Sequence, residues 1–121
     1  MIVAYWIVAG LLAVAMLGAG FMKATRPKDA LAASGMAYVE DFTATQVKLT
    51  GIAEIVGAIG LVLPKLLGIA PVLSPIAAIA LGVLMIGAIV VHIRRREMFL
   101  PPLVLAILAA AAAVLGFLTL A

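Results

Sequence analysis

The residue best placed to do chemistry is Glu54, an acid set inside the apolar stretch LTGIAEIVGAIG. It lies 11 residues after Thr43, about 16 Å along a helix at the standard rise. A carboxyl group at that depth in a bilayer costs a few kcal/mol. It is therefore predicted to face the interior of a helix bundle, where it must find a cation or a hydrogen-bond donor, or carry a proton. Gly51, Gly57 and Ala58 share its face, so a second helix can approach closely or a cavity can open there. The functional reading is a proton-handling or headgroup-binding carboxyl. The structural alternative is a hydrogen bond that fastens two helices.

The other candidates are Lys23, Lys48, His92 and Glu40. Lys23 and His92 close two apolar runs, and with Glu40, Asp41, Gln46 and Lys48 they are predicted to make one polar cluster at the mouth of the bundle. Lys48 lies six residues before Glu54, about 9 Å lower and roughly 120° round the helix. The two cannot pair along their own helix, and Lys48 can instead extend to the interface. A cationic histidine at a helix C-terminus is favoured in its own right, which is the simpler account of His92.

Other chemistries are excluded by residue type. The chain has no cysteine, hence no thiolate nucleophile, disulfide relay or thiolate-held cluster of its own. One histidine cannot supply a bis-histidine haem or a histidine-rich zinc site, so no metal site is expected. The glycines follow no strand and make no phosphate loop; with the methionines they read as packing residues. Nothing suggests a nucleic-acid surface.

The elements that must hold these residues are four apolar runs. The chain is 121 residues long, 68% apolar and 11% charged, against roughly 25% charged for a soluble domain. The predicted fold is all-α, a single membrane domain over 1–121 with spans at about 2–22, 44–63, 75–92 and 102–120. Tyr5 and Trp6 suit an interfacial anchor. Thr43 with Gln46 has the spacing of a capping box, Pro64 is taken as the stop of the second span, and Ser74–Pro75 as the cap and first turn of the third. Within the first connection, Thr25, Pro27, Asp29 and Gly35 predict a short interfacial helix at about 26–34.

Lys23, Arg26, Lys28, Arg94, Arg95 and Arg96 fall in the first and third connections, while Lys65 alone marks the second. The positive-inside rule then places those two connections in the cytoplasm and both termini outside the inner (plasma) membrane. The three arginines read as topology determinants and contacts to anionic lipid.

The stretches WIVAGLLA, GFMKATRPKD, YVEDF, VKLTGIAEIVGAIGLVLP and GIAPVLSPIAAIALGVLMIGAIVVHIRRRE resemble the DoxX-like family of small bacterial four-helix membrane proteins. The resemblance covers nearly the whole chain; its most specific parts are Lys23, the glycine-rich span with Glu54, and His92. It implies a fold and a location. Some relatives are linked to quinone-coupled sulfur oxidation or membrane redox homeostasis, and the wider fold resembles proteins that hold sterols or quinones. It carries no catalytic residue over to this chain.

The expected function is an accessory or scaffold protein that holds a hydrophobic small molecule or lipid, not an enzyme as an isolated chain. The competing readings are a subunit of a quinone-linked oxidoreductase or redox-homeostasis complex and, more weakly, a small transporter. The candidate ligands are a quinone, another isoprenoid or a lipid. The candidate partners are the bilayer, a second copy of the chain, or another membrane or redox protein. At the levels taken to face Glu54, Ala13–Met16 and Gly82–Met85, no basic or amide side chain occurs. A fixed partner is thus not expected unless the first connection folds inward with Tyr38 or a lysine, and Glu54 is predicted to face a cavity opening toward the cytoplasmic helix ends.

Overall fold

In the computed structural model, which describes residues 1–120, each apolar run is a helix, because a chain in lipid must satisfy its backbone polar groups within itself. Ala121, the end of the expected domain, lies outside the described residues. The long helices are α1 (Ile2–Thr25), α3 (Ala44–Leu67), α4 (Leu73–Arg94) and α5 (Leu100–Leu118), and α2 (Lys28–Ala33) is a short helix in the first connection. All four long helices have the length and hydropathy to cross a membrane. They form an up-and-down bundle in which α1 packs on α3, α3 on α4, α4 on α5 and α5 back on α1. Tyr5, Leu12, Met16, Leu61, Leu81 and Met85 fill its core, while many leucines, valines and isoleucines face outward, as a lipid-facing surface requires.

Several helix ends differ from the sequence expectation, each for a local reason. α1 runs one turn past Met22, so that Lys23 is a helical residue, and breaks at Arg26, which is extended at φ −94° and ψ 146°. A residue before proline is pushed out of the helical region, and Pro27 follows. Thr25 is the last residue of α1 and gives its hydroxyl to the Phe21 carbonyl; it does not cap α2, whose N-cap is Pro27.

Pro64 does not stop α3. The helix continues to Leu67 and ends at Gly68, whose φ of +69° suits glycine. A proline inside a helix removes one ladder bond and crowds the preceding turn. Here the neighbouring groups have other partners: Tyr5 donates its hydroxyl to the Leu61 carbonyl at 2.6 Å, and the Lys65 amide donates to Ser74 Oγ at 3.2 Å. That second bond explains why Ser74 is not the cap of α4. The turn before α4 is closed by backbone bonds from Leu73 to Ala70 and from Ser74 to Pro71, so the helix starts at Leu73, and the buried Ser74 hydroxyl serves α3 instead.

The expected capping box is present, with Thr43 Oγ1 accepting from the Gln46 amide and Gln46 accepting from the Thr43 amide. Just before it, Ala37–Asp41 form a 3-10 turn. Its Val39, together with Leu31 and Val47, makes a small second core. The first connection is thereby folded across one end of the bundle.

Candidate functional site

The Glu54 carboxyl is positioned by a close helix crossing. Gly20 on α1 meets Gly51 on α3 so tightly that a Cβ built on either would lie 2.6 Å from the carbonyl oxygen of the other. Only glycine permits two backbones that near. The crossing sets Lys23 level with Gly51 and Glu54 one turn deeper. The lysine stem bridges this step, and Nζ meets Glu54 Oε1 at 2.5 Å.

Lys23 is thus the fixed partner that the sequence comparison of levels did not provide. A Cβ on Gly20 would lie 3.1 Å from that of Glu54, so Glu54 sits beside Gly20 and not beside Ala13–Met16, within one turn of Lys23. Glu54 is fully buried and Lys23 nearly so. The pair uses only one carboxylate oxygen: Glu54 Oε2 is buried and has no hydrogen-bond partner among the described residues. A buried acceptor left unmatched is costly.

Glu54 borders a cavity of about 220 Å³ whose lining also includes Lys23, Tyr38, His92, Met85 and Pro101. Tyr38 arrives from the folded-in 3-10 turn. Its ring centroid is 5.5 Å from Lys23 Nζ and 4.9 Å from that of His92. His92 Nδ1 is 2.8 Å from the Ala88 carbonyl. A carbonyl only accepts, so this contact assigns a proton to Nδ1 and leaves Nε2 for another partner. A second, more apolar cavity of about 250 Å³ adjoins; Lys23, Tyr38, Met85 and Ala88 line both, and Phe42, Leu84 and Val91 extend the second.

The single polar cluster expected from the sequence is instead divided. Lys23, Glu54, Tyr38 and His92 come together inside. Glu40 and Asp41 are exposed on the outer side of the 3-10 turn, whose Val39 points inward. They pair with Arg95 at 3.2 and 2.8 Å, and Arg95 Nε also donates to Glu97. The hydrogen bonds to Glu97 and Asp41 hold the Arg95 guanidinium above its ordinary range, so it stays charged and ties the first connection to the turn after α4. Gln46 is occupied in the capping box. Lys48 is exposed on another face of α3 and does not line the Glu54 cavity. Sequence reasoning gave Tyr38 only a conditional place and Arg95 only a topological one. The acidic pair Glu40–Asp41 and the run Arg94–Arg96 are complementary in charge, and that was the available sign of the outer tie.

Four apolar helices closed at one end by a folded connection, with an ion pair sealed beneath it, define a small four-helix integral membrane protein. Residues 7–115 match the DoxX-like family, and the chain belongs to that family. No curated protein and no solved structure matches it.

Proposed function

We propose that the bundle holds an apolar small molecule or lipid whose hydroxyl-bearing head sits in the Glu54 cavity, and that the protein serves as an accessory or scaffold in the membrane. The observation that carries this reading is the buried, unpartnered Oε2 of Glu54, a residue that borders a cavity. An acceptor there calls for a donor, and a ligand O–H is one. The adjoining apolar cavity offers room for part of the body of such a molecule. A buried charge-assisted hydrogen bond contributes about 1.5–3 kcal/mol, so Glu54→Gln is expected to reduce retention of the co-purifying molecule at least about tenfold. The test is mass spectrometry of what accompanies the protein in gentle detergent. No bound molecule, or equal retention in the variant, would refute the proposal.

A quinol is a second reading, favoured by the donor set. Lys23, His92 and the Tyr38 hydroxyl border the cavity and suit ring oxygens, and the quinol O–H would supply the donor that Glu54 Oε2 lacks. Redox chemistry would then be the ligand's, while these residues would bind and orient its head. A quinone or quinol in the same mass spectrum distinguishes this reading. Transport has the least support, since all four spans run unbroken from end to end.

The same reading places the folded connection and the Arg94–Arg96 turn in the cytoplasm, on the distribution of basic residues. A reporter fused after Ala121 is expected to behave as external, and a cytoplasmic signal from that fusion would reverse the topology.

A further inference from the structure

A separate recess of about 300 Å³ opens between the end of α1 and the start of α3. Four of its eight lining residues (Lys23, Arg26, Lys28 and Lys48) are basic and none is acidic. It shares only Lys23 with the Glu54 cavity, and the Lys23 ammonium is turned away to Glu54. Arg26 and Lys48 enter no ion pair among the described residues. Lys28 gives one N–H to the Phe42 carbonyl at 2.6 Å, and its ammonium has two more. Three cations therefore converge on one concavity with no carboxylate to offset their repulsion. Ala44, the first residue of α3, completes the wall. The helix adds the positive end of its dipole, although its Gln46 amide is already taken by Thr43 Oγ1.

We propose that this recess binds the phosphate of an anionic phospholipid. Phosphate chemistry follows from the converging cations and helix end. A lipid source follows from what adjoins them. Phe21 and Ile52 lie one helical turn from Thr25 and Lys48 on the same faces of α1 and α3, and are 64% and 49% exposed. They continue the recess as apolar surface toward the bilayer interior, where acyl chains would run. Free phosphate would use the cations and leave this surface unused. The site does not depend on what the Glu54 cavity holds.

The test is native mass spectrometry of the delipidated protein in neutral detergent, titrated with dioleoylphosphatidylglycerol or dioleoylphosphatidylcholine. The anionic lipid is expected to bind at least about tenfold tighter. Each basic residue near a membrane surface contributes a factor of about five, so Arg26→Gln/Lys48→Gln should remove most of that preference. Lys48→Gln alone, on an exposed helix face, should lower it about fivefold. Arg94→Gln, which removes a cation of the same end that does not line the recess, should leave it intact, and millimolar inorganic phosphate should not displace the lipid. Equal binding of the two lipids, a preference that survives the double variant, an equal loss in Arg94→Gln, or displacement by inorganic phosphate would overturn the proposal.

Discussion

Replacing Lys23 with methionine is expected to destabilise the protein by about 3 kcal/mol, the lower end of what breaking a buried ion pair costs. The lower end applies because the unfolded helices in a micelle also keep Glu54 from bulk water. Methionine keeps the length and apolar stem of the lysine, so the loss reports the charge and not the packing. Glu54 is fully buried and, with Oε2 already unpartnered, would keep neither oxygen matched. The reverse substitution is not equivalent. Glu54→Gln leaves a lysine within one turn of the end of α1, close enough to carry its ammonium to the interface, and the new amide oxygen can still accept from it. Glu54→Gln is therefore expected to cost about 1 kcal/mol or less, the scale of an ordinary hydrogen bond. The double variant should recover most of the stability that Lys23→Met loses. Reversible unfolding in mixed micelles measures all three. A Lys23→Met protein as stable as the parent, or a double variant no better than Lys23→Met, would show that the pair does not hold α1 to α3.

Much of the architecture was legible because lipid simplifies the problem. A run of about twenty apolar residues has one stable form in a bilayer, and the loops between such runs leave an up-and-down bundle as the simplest packing. Glu54 was legible for the same reason, since an acid amid LTGIAEIVGAIG has no inexpensive place except the interior. Its partner was not. Matching Glu54 to Ala13–Met16 placed it about one turn too far from Lys23, whereas the Gly20–Gly51 contact sets Glu54 beside Gly20. Small-residue patterns mark a face for close approach, but not which glycine meets which. The helix ends at Pro64 and Ser74 were misread because their signals are local and the groups that decide them come from elsewhere: Tyr5 from α1 for the Leu61 carbonyl, and Ser74 for the Lys65 amide. The inward fold of the first connection depends on Val39, Tyr38 and Arg95 acting together across some 55 residues of chain, a pairing that no local pattern announces.

Gly51→Ala is expected to destabilise the bundle by about 1–3 kcal/mol or more, as overpacking does where the surroundings cannot yield. The surroundings here are mostly backbone. The added methyl would lie 2.6 Å from the Gly20 carbonyl oxygen, 2.8 Å from Lys23 Cβ and 2.9 Å from the Ala24 amide nitrogen. No rotamer change clears such contacts, so α1 must move away. Gly20→Ala meets the Gly51 carbonyl oxygen and the Ile55 and Glu54 side chains and should behave alike. Gly10 and Gly18 are the internal controls. They lie on the same helix as Gly20 but have open space where a Cβ would go, so alanine at either should be neutral or, by helix propensity, stabilising by up to about 1 kcal/mol. Helix propensity alone would make all four substitutions favourable, so their separation into two pairs isolates the crossing. The displacement also has a direction: moving α1 off α3 draws Lys23 Nζ from Glu54 Oε1. Gly51→Ala should consequently cost less in a protein that already carries Lys23→Met, a non-additivity of the kind seen between residues sharing one contact. Additive losses would mean that the ion pair survives without the glycine crossing, and the account of how Lys23 reaches Glu54 would then be wrong.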